Sequence, residues 1–167
     1  LGRVGAGKPG ALAALARIAS KESDLELRKV AVESLKVLAA QDAGVEEALV
    51  SAFAQAEDGD LKVLVLEALA DMGSQKPASL AGDFLAAPGS GGASLAQKRR
   101  VLTALSEAPT EDSAQAILDA CKDPKVLEFA QAVLEGYPAS LMTGLVSRRT
   151  RTESDKNVLS VLTALSQ

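Results

Sequence analysis

Histidine, tryptophan and paired cysteines are missing from this sequence of 167 residues, which has no His, no Trp and one Cys. Without histidine the chain lacks the commonest general base and metal ligand, so Ser-His and Cys-His catalytic machinery is excluded. One cysteine cannot build an internal disulfide framework or a cysteine-based zinc site. We expect this residue, Cys121, to be buried on the apolar face of a helix. These absences predict a chain that is not an enzyme and that holds no cofactor and no metal.

Aromatic residues and positive charge are also scarce. Aromatic residues make up 2% of the chain, and 18 basic against 22 acidic side chains leave a net charge of −4. Because proteins that bind nucleic acid combine basic faces with aromatic stacking platforms, we expect no nucleic-acid partner. No apolar run approaches the about 20 residues that a membrane span needs. The lack of disulfides is compatible with a reducing compartment, the cytoplasm or an organelle interior.

Alanine, leucine and valine at helical spacing dominate what is present, since 47% of the residues are hydrophobic. Val45, Leu49, Ala52 and Phe53 follow the i, i+4, i+7, i+8 spacing of a helix that buries one face. No segment shows the period of two that marks a half-buried strand. The sequence therefore predicts an all-α chain.

An internal repeat runs along the chain. Residues 27–35 align with residues 61–69, and residues 98–105, 126–134 and 161–166 continue the series. One leucine recurs in each aligned segment: Leu35, Leu69, Leu105, Leu134 and Leu165. A period of about 30–36 residues is typical of stacked helical hairpins. Shorter amphipathic stretches lie between the segments, so we predict repeats of a shorter first helix and a longer second helix.

Acidic residues and glycines indicate where the second helices begin and end. We expect starts at Asp24, Asp60 and Asp123, because a carboxylate accepts hydrogen bonds from the first exposed N–H groups of a helix. Gly73 and Gly136 are the predicted ends, since glycine adopts the left-handed cap conformation without strain.

Other segments fall outside the repeat. Residues 88–94 are rich in glycine and serine and predict a flexible loop, and residues 147–154 predict a polar connection inside the last repeat. Residues 1–7 read like the end of a preceding repeat, so we expect a fragment of a longer chain. The glycines of residues 5–10 fit nucleotide-binding spacing, but Pro9 stands where a phosphate-binding loop needs Ser or Thr. We interpret them as a turn between helices.

The second-helix segments resemble HEAT repeats. That family's pattern is an acidic residue, an apolar-basic pair, a small residue and then leucine. The first copy places these at Asp24, Leu27, Arg28, Ala31 and Leu35. Residues 60–73 carry the pattern as well, whereas the third repeat departs from it with Gln97 in an apolar position. The resemblance implies a right-handed α-solenoid of about five HEAT-like hairpins, forming a single domain over residues 1–167.

HEAT-like proteins act mostly as scaffolds and adaptors whose second helices line a concave surface. The resemblance therefore implies a non-catalytic scaffold or adaptor, or a subunit of a larger complex, with protein partners and no small-molecule substrate. The compact repeats are also similar to those of phycobilisome-lyase-like proteins, which act as bilin lyases or chaperones. A third similarity is to armadillo-type cochaperones of heat-shock ATPases. Both alternatives stay open.

Basic residues near the starts of the second helices are the predicted protein-binding residues. They are Arg28, Lys29, Lys62, Lys98, Arg99 and Arg100. Stacking brings equivalent positions of successive repeats side by side, which would form a basic stripe. The HEAT resemblance implies instead a ladder that uses Asp24, Asp60 and Arg28. Residues 98–100 are the strongest binding candidates, because no acidic residue precedes them to pair with.

Overall fold

A computed structural model of the chain describes residues 10–40, 42–86 and 93–166, and these residues are all-helical, with no strand among them. The predicted end of a preceding repeat at residues 1–7, the turn before residue 10 and most of the predicted 88–94 loop lie outside the described residues. The ten helices of the described ranges are α1 (Ala11–Lys21), α2 (Leu25–Leu38), α3 (Gly44–Ala54), α4 (Gly59–Asp71), α5 (Lys76–Ala86), α6 (Leu95–Glu107), α7 (Glu111–Ala120), α8 (Leu127–Glu135), α9 (Ala139–Thr152) and α10 (Lys156–Ala164).

The chain divides into two compact units, residues 1–76 and residues 77–167. In the first unit, α1 packs on α2 and on α3, and α4 packs on α2 and on α3. The first helices α1 and α3 are therefore neighbours, and so are the second helices α2 and α4. This is the packing of two hairpins that stack side by side, each burying an apolar stripe on the other.

The second unit repeats the same relation between alternate helices. Helix α6 packs on α7 and α8, α7 packs on α9, and α8 packs on α10. Helix α7 also contacts α10. Packing of each helix on the next but one is compatible with a helical repeat fold.

The leucines that define the repeat occupy the core in four of the five copies. Leu35, Leu69, Leu105 and Leu134 are buried. Leu165 is only half-buried, because α10 ends at Ala164 and Leu165 is its C-terminal cap. Residues 161–166 repeat residues 101–106 letter for letter, yet Leu165 is less buried than Leu105.

The predicted order of helix lengths is correct in the first three hairpins, the third having 11 residues in α5 and 13 in α6, and wrong in the last two. Helices α1 and α3 have 11 residues, against 14 in α2 and 13 in α4. Helix α8 has 9 residues against 10 in α7, and α10 has 9 against 14 in α9. The difference arises because residues before α8 form a turn, whereas α9 continues through a segment that we predicted to be a connection.

The prediction of a polar connection at residues 147–154 is wrong, since α9 continues to Thr152. The Arg149 guanidinium donates to Asp119 on α7 at 2.6 Å and to Glu153 at 2.7 Å. Burial alone would raise the pKa of the Asp119 carboxyl, and hydrogen bonds from Lys122 and Arg149 outweigh it and lower that pKa. These ionic bonds tie the last turns of α9 to α7, so a polar and arginine-rich sequence remains helical.

One of the three acidic helix starts is correct. The Asp24 carboxylate accepts from the backbone N–H groups of Glu26 and Leu27 and caps α2. At α4 the cap is Asp58, and Asp60 lies inside the first turn. Asp123 accepts from the N–H of Lys125 within the turn before α8, which has no side-chain cap.

The two glycine helix ends differ in conformation. Gly73 has φ +72°, and the N–H groups of Gly73 and Ser74 donate to the carbonyls of Ala70 and Leu69. This pair of bonds forms a Schellman cap, as predicted. Gly136 has φ −78° and is right-handed, so the left-handed cap predicted there is wrong.

The departure of the third repeat from the HEAT pattern has a local reason. The Ser94 hydroxyl accepts from the Gln97 N–H at 3.2 Å, and the Gln97 side chain accepts from the Ser94 N–H at 2.8 Å. These reciprocal bonds form a capping box, which satisfies two N–H groups at the start of α6. Ser94 and Gln97 together thus cap this helix, where aspartate caps α2 and α4.

Tyr137 connects three elements of the second unit through its buried hydroxyl. The hydroxyl donates to the Leu105 carbonyl at the end of α6 and lies 2.9 Å from the Ser113 hydroxyl in the first turn of α7. Burial raises the pKa of the tyrosine, so it stays neutral and able to donate. The bonds fix the loop after α8 against the junction of α6 and α7.

Candidate functional site

The predicted basic residues occupy equivalent positions in their helices. Arg28, Lys62 and Lys98 are each the fourth residue of a second helix, α2, α4 and α6. Lys29 and Arg99 follow at the fifth position of α2 and α6. The repeat alignment therefore correctly predicts that these residues hold equivalent positions in successive second helices. What each side chain does there depends on the groups that it contacts.

Arg28 joins the ends of the two first helices of the first unit. Its Nε donates to the Ala19 carbonyl in the last turn of α1 at 2.8 Å, and its NH2 group donates to the Gln55 carbonyl at the end of α3 at 3.1 Å. A cation at the C-terminal end of a helix also interacts favourably with the helix dipole. The predicted ladder would pair arginine and aspartate of adjacent repeats, whereas Arg28 bonds these two carbonyls and Asp24 caps α2. Arg28 therefore stabilises the packing of the first two hairpins on each other.

Replacing Arg28 with alanine is expected to lower the free energy of unfolding by about 2 kcal/mol, because carbonyls at two helix ends lose a charged donor. Urea unfolding followed by far-UV circular dichroism measures this. Lys29→Ala is the matched control and should change stability little, since the Lys29 ammonium bonds Glu26 of its own helix at an exposed site. Equal stability of the two variants would contradict the structural role of Arg28.

Lys62 contacts the first helix of its own hairpin. Its ammonium is 5.6 Å from the centre of the Phe53 ring on α3, a cation–π distance. Phe53 was predicted from its spacing to belong to a helical stripe, and it lies in α3. This contact packs the start of α4 on α3.

Lys98 was expected to have no acidic partner, and this expectation is wrong. Its side chain is 8% exposed, and its ammonium bonds the Asp123 carboxylate at 2.8 Å. The hydrogen bond from Lys98 lowers the pKa of the Asp123 carboxyl. Asp123 lies in the turn before α8, so the pair connects the second helices of two successive hairpins. Asp123 follows Lys98 in the chain, and the expectation was wrong because it rested on the residues that precede Lys98.

Arg99 and Arg100 are the exposed members of the predicted set. The Arg99 guanidinium lies 5.6 Å from the centre of the Phe129 ring on α8. A cation held over an aromatic ring remains accessible from its other face. Of the predicted residues, these two are the most available to a partner.

A second candidate surface on α2 was not predicted. Leu27, Val30 and Val37 are 50%, 59% and 55% exposed, the largest values among the large hydrophobic side chains of the described residues. Ser34 lies between them at the same helical spacing, and its hydroxyl donates to the Val30 carbonyl at 2.8 Å. We call these four residues the α2 row. The signal in the sequence was an apolar arc on α2 too wide for one buried face.

The polar side of α2 carries an excess of carboxylates. Lys36 forms an ion pair with Asp71 on α4, and that hydrogen bond raises the pKa of the lysine, with further attraction from Glu33 and Glu67. The hydrogen bond from Lys29 to Glu26 likewise raises the pKa of Lys29, which is also in the field of two carboxylates of the α4 start, Asp58 and Asp60. Six carboxylates therefore act on the Lys29 and Lys36 ammonium groups.

Cys121 is fully buried at the end of α7, as predicted. Its Sγ donates to the Ile117 carbonyl at 3.3 Å. Burial, followed by the negative charges of Asp119 and Asp155, raises the pKa of the thiol to about 12. The thiol is therefore neutral at pH 7, and only the thiolate is a strong nucleophile.

Alkylation of Cys121 by iodoacetamide at pH 8 is expected to be at least about 100-fold slower in the native chain than in 8 M urea, because reaction requires local opening. Mass spectrometry of samples quenched over time measures both rates. Similar rates in the two conditions would contradict the buried and protonated state of the thiol.

Clusters of metal-ligating side chains and membrane-spanning helices are both missing from the described residues. In the described part of the chain, no three His, Cys, Asp or Glu side chains come together as a metal site would require. None of the helices in residues 10–40, 42–86 and 93–166 combines the length and apolar character of a membrane span.

Comparisons of the chain with protein-family models, with curated proteins and with solved structures found no match. The HEAT resemblance therefore rests on the residues of this sequence and on a packing pattern that is compatible with a helical repeat.

Proposed function

We propose that this chain is a non-catalytic scaffold or adaptor, or a subunit of a larger assembly, that binds other proteins through its second helices. The proposal includes the architecture that the sequence predicts, in which HEAT-like hairpins stack into a right-handed solenoid. The observation that carries it is the packing of alternate helices within each unit. Hairpins stacked in this way present rows of second helices, which offer a long surface for a macromolecular partner.

The contacts of the predicted basic residues determine which of them we expect to meet a partner. Arg28 and Lys98 bond groups in neighbouring hairpins, and Lys62 packs on Phe53. Arg99 and Arg100 are exposed, so they are the basic residues that we retain as partner contacts. The α2 row adds an apolar surface on a second helix, and apolar patches with a polar rim are typical of protein interaction sites.

Capture of the full chain from its native lysate, at low and at high salt, tests this function. A stoichiometric protein partner is the expected result, with binding reduced in an Arg99→Ala/Arg100→Ala variant. Lys122→Ala is a suitable control, because this exposed lysine pairs with Asp119 of its own turn. A bound bilin without a protein partner would contradict the scaffold and support the lyase-like alternative. Acceleration of nucleotide release from a heat-shock ATPase would support the cochaperone alternative.

A further inference from the structure

The α2 row lies on the flank of α2 that faces away from α4. Successive residues of an α-helix are about 100° apart around its axis. Going around α2, the first side chains are Lys36 and Lys29, followed by Glu33 and Glu26. The α2 row comes next, and the buried Leu38 and Ala31 follow it. Lys36 reaches Asp71 on α4, so α4 lies beyond the lysine side. The row therefore occupies the opposite flank, where a further helix would extend the layer that α4 and α2 form.

The spacing of the row fits a helix rather than an extended peptide. Its members recur at intervals of three and four residues along α2, so the exposed apolar surface is a narrow seam parallel to the helix axis. Val30, Glu33, Ser34 and Val37 have the i, i+3, i+4, i+7 spacing of a hole that accepts a side chain from a facing helix. Because Ser34 is small and its hydroxyl already donates to Val30, the hole has room for leucine or methionine.

The charges beside the row determine which helix fits. Glu26 and Glu33 are exposed and lie one heptad apart along the edge of the row. A facing helix with lysine or arginine at the matching edge would complement them. A second copy packed antiparallel through the row is disfavoured, because this arrangement would place Glu26 of one copy near Glu33 of the other. Resting on the proposed function, we propose that the α2 row binds an amphipathic helix of a partner protein, with basic residues beside its apolar stripe.

The probe is a pair of designed 18-residue amphipathic helices with the same leucine stripe. One carries lysine at the positions that flank the stripe, and the other carries glutamate there. Fluorescence anisotropy with the labelled peptides and the full chain measures binding. We expect the lysine peptide to bind at least about 10-fold more tightly than the glutamate peptide at low salt, and the ratio to fall as salt screens the charges.

Two variants test the residues of the surface. Val30→Ser/Val37→Ser should weaken the lysine peptide at least about 10-fold, because it removes two central contacts of the seam. These side chains are more than half exposed, so the variant should remain folded, which circular dichroism checks. Glu26→Gln/Glu33→Gln should abolish the preference for lysine over glutamate. Leu95→Ser is the control, since Leu95 is an exposed leucine on α6 and should leave binding unchanged.

The results that would overturn this inference differ from those that would overturn the proposed function. Equal binding of the two peptides, no binding, or binding unaffected by Val30→Ser/Val37→Ser would overturn the inference. So would concentration-dependent dimerisation, seen by analytical ultracentrifugation, that Val30→Ser/Val37→Ser abolishes, because the occupant would then be a second copy. If the native partner is captured equally by the wild-type chain and by this variant, the scaffold function stands and the inference fails. If neither captures a partner, the proposed function itself fails.

Discussion

Replacing Leu35 with alanine is expected to lower the free energy of unfolding by about 2–5 kcal/mol. Leu35 is fully buried on α2, which packs on α1, α3 and α4. Truncation removes the transfer free energy of the lost carbon atoms and leaves a cavity that the surrounding helices refill only in part. Urea unfolding followed by far-UV circular dichroism measures the change, because the chain has no Trp and one Tyr.

Leu165→Ala is the matched control for this prediction. Leu165 is the aligned leucine of the last repeat, but it caps α10 and is half-buried. Its truncation should cost less than about 1 kcal/mol, since less apolar surface returns to water. Leu162, which is fully buried on α10, should behave like Leu35 when it is changed to alanine. Equal losses at Leu35 and Leu165 would mean that the sequence alignment describes the core better than the structure does.

The helical class of the fold was predictable because it depends on local spacing. Each aligned segment overlaps an even-numbered helix from α2 to α10, although Val126 and Leu165 lie just outside α8 and α10 as their caps. The Gly73 cap followed from the conformation that glycine tolerates. The errors occur where tertiary bonds override local signals. Polar residues near Arg149 read as a connection, yet ion pairs with Asp119 and Glu153 keep them helical.

The environment of the candidate site was less predictable. Lys98 and Asp123 are 25 residues apart in the chain, and only the stacking of α6 on α8 brings them together. Arg28 reaches the carbonyls of Ala19 and Gln55, acceptors that every residue carries and that no sequence pattern marks. The α2 row was not predicted, because exposed and buried apolar residues on α2 share the same helical spacing and the sequence pattern does not separate them.

Breaking the ion pair of Lys98 and Asp123 is the second change that we expect to lower the free energy of unfolding strongly. Asp123→Ala would leave the Lys98 ammonium, 8% exposed, without its counter-ion. An uncompensated buried charge is strongly destabilising, and we expect a loss of about 3 kcal/mol, at the lower end of the range because Asp123 is itself partly exposed. Lys98→Met keeps the aliphatic stem and removes the charge, so its loss should be about 1–2 kcal/mol. The double variant should be more stable than Asp123→Ala alone.

The pH dependence of the same variants tests whether the pair is ionic. The hydrogen bond from Lys98 lowers the pKa of Asp123 in the folded chain, so the folded state binds the proton more weakly than the unfolded state. The resulting stability is fully present above the unfolded pKa of about 4 and is lost as the pH falls through the folded value. The difference in stability between the wild-type chain and Lys98→Met should therefore be constant from pH 7 to about pH 5 and narrow below about pH 4. A difference that persists unchanged at pH 3 would show that Lys98 stabilises the chain through packing of its stem instead.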